Sequence, residues 1–228
     1  MGIGTYEGTV TDIEYLSDSV FVLSLSVPKE FTFVAGQFVI FEFEEDGKKH
    51  PKSYSIFNPP SESGVLKSCI KLIDGGYASE KFRKMEAGEK ISFRGPMGGL
   101  RFDESNKNHF FVCTGTGITP FYSIFKEFVA SNPDHQFTLL FGTRLEKDIV
   151  LRSEFEQMAA EFDNFTYLIT LTREDWSGLR GRVQEHLPES VAETSFYICG
   201  LKDMVLDTRQ KLLDQDVEPE HIKIERYT

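Results

Sequence analysis

Cysteine is scarce in this chain: there are three in 228 residues, Cys69, Cys113 and Cys199, and no Cys-x-x-Cys spacing. So odd and scattered a set supports neither a disulfide framework nor a zinc or iron–sulfur site. It fits reduced thiols in a cytoplasmic protein. The five histidines, His50, His109, His135, His186 and His221, show no paired ligand spacing, so they read as surface or core residues and no metal is expected. No apolar run approaches the roughly 18 residues of a membrane span. The opening residues, Met1-Gly2-Ile3-Gly4-Thr5-Tyr6-Glu7, lack the basic and apolar regions of a signal peptide, and Tyr6 stands where myristoylation wants Ser or Thr. Positive charge is in deficit, with 25 Lys and Arg against 36 Asp and Glu for a net −11, which argues against nucleic acid as a partner. Internal repeats and low-complexity segments are also missing.

What is present is a globular composition, 40% hydrophobic and 27% charged, of a length suited to one large domain or two small ones. The first hundred residues alternate. Phe21, Leu23, Leu25 and Val27 fall on one side of a strand, as do Val39, Phe41 and Phe43. Strands are expected at Thr5–Leu16, Ser19–Val27, Phe38–Phe43, Ser53–Phe57, Val65–Ile73 and Lys90–Arg94, with one short helix at Ser79–Met85. Turn residues such as Asp46-Gly47 and Asn58-Pro59-Pro60 separate them. This predicts a small antiparallel β-barrel or sandwich over residues 1–104.

Past the polar stretch Asp103–Asn108 the period changes. Short strands (Phe110–Cys113, Phe137–Phe141, Phe165–Leu171, Ser195–Cys199, Ile222–Glu225) alternate with amphipathic helices. Phe121, Ile124, Phe125 and Phe128 mark one helix, Phe155, Met158, Ala159 and Phe162 a second, and Asp203–Leu213 a third. This predicts an α/β domain over 105–228 with a five-stranded parallel sheet covered on both faces.

Chemistry concentrates in a few segments. Gly115-Thr116-Gly117-Ile118-Thr119-Pro120 joins a strand to a helix, where glycines and free N–H groups can meet a pyrophosphate; a ligand-free βα turn is the alternative. Pro120 suits the first helical turn, where its missing N–H costs nothing. A standard Rossmann loop would carry a third glycine where Pro120 stands. It would also carry an acidic residue after the next strand, where Gly142-Thr143-Arg144 stands instead. Arg144, and Arg173 in Thr172-Arg173, have the guanidinium geometry for a 2′-phosphate, or are solvated surface residues. Lys52-Ser53-Tyr54-Ser55 and Gly76-Tyr77-Ala78-Ser79 offer a cation, an aromatic ring and hydroxyls for a phosphorylated aromatic cofactor, or else a barrel tyrosine and a helix N-cap.

In this order the segments resemble the ferredoxin–NADP reductase superfamily along nearly the whole chain. Lys52–Ser55 resembles its flavin motif R-x-Y-S, and Gly76–Ser79 the G-x-x-S/T at the flavin pyrophosphate. Cys69-Ile70-Lys71-Leu72 matches the strand whose main chain follows the cofactor. Gly95-Pro96-Met97-Gly98 resembles the G-P-x-G that closes the barrel, and Gly115–Pro120 the nicotinamide pyrophosphate loop. Cys199-Gly200 and Glu225-Arg226-Tyr227 resemble the C-G and the terminal E-x-aromatic.

The resemblance implies an FAD-binding barrel, a NAD(P)-binding α/β domain and hydride passing between them, in a family member without a fused iron–sulfur domain. It assigns Tyr54 to the isoalloxazine face and Ser55 to its N5 edge. Ser79, with Gly76 and Ala78, falls at the pyrophosphate, and Cys199 beside the nicotinamide. Glu225 becomes a proton relay and Tyr227 a cover for the other flavin face. Lys52 departs from the motif's arginine, and Thr228 extends past Tyr227. The expected acceptor is a separate carrier, ferredoxin or flavodoxin, and docking to an acidic carrier would need a local basic patch. A flavin or quinone reductase and a non-catalytic nucleotide-binding subunit are the alternatives.

Overall fold

In the computed structural model, which describes residues 2–227, the alternating segments form an antiparallel six-stranded sheet. Its strands are β1 (Gly4–Ser17), β2 (Val20–Ser26), β3 (Phe38–Glu45), β4 (Lys48–Ser55), β5 (Val65–Lys71) and β6 (Lys90–Met97), in the order β4-β3-β6-β1-β2-β5. The large residues of the alternation, among them Phe21, Leu23, Leu25, Val39, Phe41 and Phe93, pack into one barrel core. Helix α1 (Tyr77–Arg83) closes it with Ala78 and Phe82. Ser79 is the third residue of that helix rather than its cap, which is Gly76.

The expected strand Ser53–Phe57 is displaced, for β4 begins at Lys48. Its first residues, Lys48-Lys49-His50-Pro51, carry no apolar alternation because this is an edge strand, where proline and lysine are tolerated. The turn between β3 and β4 sets the register. Asp46 and Gly47 both have positive φ, 50° and 73°, as a two-residue hairpin requires, and pairing runs from Glu45 opposite Lys48 to Phe38 opposite Ser55.

The second half forms a parallel sheet of six strands rather than five. These are β7 (Asn108–Thr114), β8 (Gln136–Thr143), β9 (Phe165–Leu171), β10 (Leu179–Arg180), β11 (Thr194–Leu201) and β12 (Ile222–Tyr227), ordered β10-β9-β8-β7-β11-β12. The extra strand, β10, is two residues long, too short to leave a periodic signature. Helices α2 (Thr119–Phe128) and α3 (Arg152–Glu161) cover one face, and α4 (Lys202–Leu213) the other. Successive residues of β7 divide accordingly: Phe111 and Cys113 join the first core, Phe110 and Val112 the second.

The core under α2 does not stop at the domain boundary. It includes Val20, Val22, Ala35, Phe57, Cys69 and Leu100 from the first half with Phe111, Ile118, Phe121 and Ile124 from the second. Phe57 stacks on Tyr122 with ring centroids 4.2 Å apart, and Ser123 Oγ donates to the Asn58 carbonyl at 2.7 Å. The two lobes are therefore held by close-packed apolar contact.

At the start of β7 a polar chain runs from the surface into the core. His109 Nε2 sits 2.8 Å from His135 Nδ1, and Lys107 Nζ lies 3.0 Å from His135 Nε2. Burial, helped by the neighbouring His135, pushes His109 down to about 4. The unfolded chain binds that proton near pH 6.5 and the folded chain does not, so stability is whole above pH 6.5 and falls between there and pH 4. Chemical denaturation across that range is expected to show a loss of up to about 3 kcal/mol, and His109→Phe should flatten it. Phe57→Ala should cost about 3 kcal/mol or more while both lobes still unfold in one transition by tryptophan fluorescence and circular dichroism. Two separated transitions in the unmodified protein would mean that the lobes are not coupled.

Candidate active site

The two lobes meet chemically at one hydroxyl. Ser55, the last residue of β4, is buried, and its Oγ lies 2.8 Å from Glu225 Oε1 and 2.8 Å from the Tyr227 hydroxyl, both on β12. The Tyr227 hydroxyl also donates to the Thr116 carbonyl at 3.3 Å. Parallel pairing places Cys199 of β11 beside Glu225, and the buried Cys199 thiol contacts the same tyrosine hydroxyl. Four residues singled out from the sequence, Ser55, Cys199, Glu225 and Tyr227, thus converge. Thr228 lies outside the described residues.

Burial sets the proton affinities here. It pushes the Glu225 carboxyl up to about 7, against an opposing pull from the Ser55 hydrogen bond, so the group changes charge near neutral pH. It drives the Cys199 thiol and the Tyr227 phenol well up, keeping both protonated. A serine hydroxyl has one hydrogen and can also accept. Ser55 donates to ionised Glu225, and it can accept from the protonated acid while turning its own hydrogen elsewhere.

Beside this junction the first lobe offers a ligand-binding edge. Strands β4 and β5 are the two ends of the sheet order, so each keeps one row of backbone N–H and C=O groups outside the ladder. Lys52 and Tyr54 lie opposite Phe41 and Val39 and so share the barrel face, whereas Ser53, opposite Ile40, lies on the other face. The Tyr54 ring is wedged at 5.4 Å from both Phe41 and Phe82, and burial pushes its phenol up to about 12. Ile70, Leu72 and Ala78 turn their side chains into the barrel core, leaving only main chain to a ligand, while Lys71 is exposed.

The first helical bond of α1 runs from the Glu80 N–H to the Gly76 carbonyl, leaving the N–H groups of Tyr77, Ala78 and Ser79 without an intrahelical acceptor. Ser79 Oγ accepts from the Ile73 N–H at 2.8 Å, which braces this turn and leaves the hydroxyl proton to give. The edges, Lys52 (without an acidic partner among the described residues), the Tyr54 ring and the free N–H groups fit a flavin nucleotide.

At the C-terminal edge of the parallel sheet, Gly115–Ile118 forms a 3-10 turn entering α2, with Gly115 at φ 55° and Pro120 the second helical residue. The glycine at 117 has a structural cause beside the ligand-binding one expected from sequence: a Cβ there would sit 2.3 Å from the Cys199 carbonyl oxygen. Thr119 is buried, donates to the Thr116 carbonyl at 2.7 Å and touches the Cys69 thiol of the first lobe. Gly200 is pressed between Met204 and Thr114. Beyond β8 and β9 the backbones stay paired: Arg173 N–H donates to the Arg144 carbonyl at 3.0 Å, and Thr172 N–H to that of Thr143 at 3.1 Å. The two arginines are exposed neighbours, and neither has an acidic partner among the described residues.

Sequence reasoning missed Asn58, which looked like part of a turn. Its buried side chain accepts from the Lys67 N–H at 2.7 Å and donates to the Val65 carbonyl at 3.1 Å, fixing the segment after Ser55. It missed Thr114 as well, whose buried hydroxyl has no partner beside Gly200. Neither residue lies in a spacing pattern that could have revealed it.

An FAD-binding oxidoreductase domain model matches residues 7–102 and a NAD-binding oxidoreductase domain model residues 111–210. Ferredoxin–NADP reductase B of Sorangium cellulosum is 34% identical over 87% of this chain and 87% of its own length. The plasma membrane-associated coenzyme Q6 reductase PGA3 of Saccharomyces cerevisiae is 28% identical over 78% of this chain, which spans 58% of that protein. The crystal structure of a ferredoxin NADP+ reductase from Neisseria gonorrhoeae, with bound FAD and NADP, shares the fold at a TM-score of 0.87 and 24% identity, over 97% of this chain and 98% of its own. Fold and domains define an oxidoreductase that uses a flavin and a nicotinamide nucleotide. The chain belongs to the ferredoxin–NADP reductase superfamily.

Removing the Ser55 hydroxyl should raise Glu225 further, because the bond favours the carboxylate. Carboxyl-carbon NMR titration of Ser55→Ala, with Glu225→Gln for assignment, is expected to show a midpoint above that of the unmodified protein. An unmoved midpoint would show that the serine does not hold the carboxylate.

Proposed function

We propose that this protein takes hydride from NADPH onto FAD and delivers electrons singly to a separate small redox protein, a ferredoxin or flavodoxin. The observation that carries this reading is the convergence of Ser55 with Glu225 and Tyr227 at 2.8 Å, across the seam between the FAD-binding and NAD-binding lobes. FAD supplies the hydride acceptor and the step from two-electron to one-electron transfer.

The chain's own residues do the rest. Tyr54 lies against the isoalloxazine. Lys52, Ser79 and the N–H groups of Tyr77, Ala78 and Ser79, in the turn that Gly76 opens, hold the pyrophosphate, and the main chain of Ile70 to Leu72 follows the cofactor. Gly115, Thr116, Gly117, Thr119 and Pro120 receive the nicotinamide nucleotide, with Cys199 and Gly200 beside its ring. Ser55 and Glu225 hold the proton that balances hydride transfer. Tyr227, buried at the seam, would shield one face of a bound flavin from water and help keep the contact between the two rings dry.

Arg144 and Arg173, side by side next to the Thr143–Thr172 row and without an acidic partner among the described residues, favour NADPH over NADH, because a guanidinium fork matches a phosphate. Likeness to a ferredoxin–NADP reductase supports a protein acceptor. Likeness to a coenzyme Q6 reductase favours a second reading, in which the acceptor is a quinone. The domain boundary in this reading falls between residues 104 and 105. The setting is cytoplasmic, in keeping with three unpaired, buried cysteines. Among the described residues no helix is long and apolar enough to cross a membrane.

The purified protein is expected to be yellow, to bleach with NADPH without oxygen and then to reduce ferricyanide. A bound flavin that bleaches with neither nicotinamide would reduce the protein to a nucleotide-binding subunit. Arg173→Ala should raise the KM for NADPH roughly 10- to 100-fold, the loss of one charge-assisted phosphate contact, and leave NADH unchanged. Faster turnover with NADH than with NADPH in the unmodified protein would remove the role given to both arginines. Tyr227→Ser should ease nicotinamide entry and narrow the gap between the two coenzymes, and steady-state kinetics with each will show whether it does.

A further inference from the structure

Two hydroxyls link Glu225 to the loop that leads into α2. Ser55 Oγ lies 2.8 Å from Glu225 Oε1 and 2.8 Å from the Tyr227 hydroxyl, which in turn lies 3.3 Å from the Thr116 carbonyl oxygen. A carbonyl oxygen has two lone pairs. The Thr119 hydroxyl takes one of them at 2.7 Å and is itself touched by the Cys69 thiol of the first lobe, so the carbonyl is fixed independently of the tyrosine. The other lone pair is left for Tyr227.

Each hydroxyl has a single hydrogen, and this makes the line directional. With Glu225 ionised, Ser55 gives its hydrogen to the carboxylate. The Tyr227 hydrogen then has the Ser55 oxygen as an acceptor at 2.8 Å, nearer than Thr116 and strengthened by the anion behind it. With Glu225 protonated, the acid gives a hydrogen bond to Ser55, and Ser55 gives its own hydrogen to the Tyr227 oxygen. The Tyr227 hydrogen is thereby turned out to Thr116.

We infer that Tyr227 is a positioning residue that ties the Gly115–Pro120 loop to the proton on Glu225. Its hydroxyl bonds the loop while the acid holds that proton, and releases the loop once the proton has left. A tied loop is already ordered, so less freedom is lost when a nucleotide binds there. The inference rests on the reading of this loop as the nicotinamide nucleotide site and adds what regulates it. The groups around Glu225 leave it to change charge by itself. Cys199 on β11 and Tyr227 on β12 stay protonated, and Gly98, after β6, faces Oε2 without a side chain. Lys223, two residues back on β12, is engaged by Asp103 at 2.6 Å, and Arg226 is exposed on the other side of the strand.

The test is carbon NMR of the Thr116 carbonyl, beside the Glu225 carboxyl, in the purified protein across the neutral pH range. In the unmodified protein the Thr116 signal should shift with the same midpoint as Glu225. Tyr227→Phe, which keeps the ring and loses the hydroxyl, should hold the Thr116 signal still while Glu225 continues to titrate, and Ser55→Ala should hold it still too. ADP-ribose lacks the nicotinamide ring and carries no group that titrates in this range. It should bind roughly three- to tenfold more tightly below the Glu225 midpoint than above it, the worth of one hydrogen bond, and Tyr227→Phe should remove most of that difference. A Thr116 signal that stays still while Glu225 titrates would overturn the inference. So would one that shifts equally in Tyr227→Phe, the mark of a charge felt through space, or a Glu225 that keeps one charge throughout. ADP-ribose that binds on neither side of the midpoint would instead remove the nicotinamide reading of the loop, with the Thr116 titration still deciding whether the hydroxyl turns.

Discussion

The Ser55 hydroxyl carries the whole arrangement because, among the described residues, it is the one polar atom of the first lobe that bonds to both Glu225 and Tyr227 of the second. Its single hydrogen must go either to the carboxylate or elsewhere, so its direction is tied to the charge on Glu225. That charge is poised near neutrality by burial. Neither residue could play such a part in water, where a carboxylate stays ionised and a hydroxyl is lost among solvent partners. Exclusion of solvent from the seam is what makes a serine, a glutamate and a tyrosine act together.

A seam of that kind needs lobes that do not drift. Hydrogen bonds 2.8 Å long tolerate little movement, and the continuous core from Val20 and Phe57 to Phe121 and Ile124 supplies the stiffness. The Phe57–Tyr122 stack and the Ser123 bond to the Asn58 carbonyl lie two and three residues beyond Ser55 on the chain, so the segment leaving β4 is anchored immediately after that serine. Thr119 adds a contact to Cys69 from the Gly115–Pro120 loop itself. The loop expected to bind a ligand is thus also part of the scaffold, and Gly117 illustrates the overlap: a side chain there would strike the Cys199 carbonyl before it met any nucleotide.

Much of the fold was legible along the chain because side-chain period records which face is buried. Alternation in Phe21–Val27 and Phe38–Phe43 and the three-four spacing from Phe121 to Phe128 each matched an element of the expected type. Elements that bury no regular stripe were misplaced or missed. The edge half of β4 is written in lysine, histidine and proline, and β10 is two residues long. At the candidate site, motif order singled out Ser55, Cys199, Glu225 and Tyr227, which the fold brings together, but Asn58 and Thr114 carry no spacing signal. Their significance lies in what stands across from them.

The sequence by itself determined the succession of a strand-rich half and a strand–helix half, the faces each element buries, and the backbone-permissive glycines at the turns. Local sterics and the separation of apolar from polar side chains act over a few residues and leave a periodic trace. Only the tertiary structure decided that residues 170 and 172 positions apart meet at one hydroxyl, that a carboxyl there titrates near neutral pH, and that two arginines stand side by side without acidic partners among the described residues. Those properties depend on proximity and on the loss of water around particular atoms, and both come into being only when the two lobes pack.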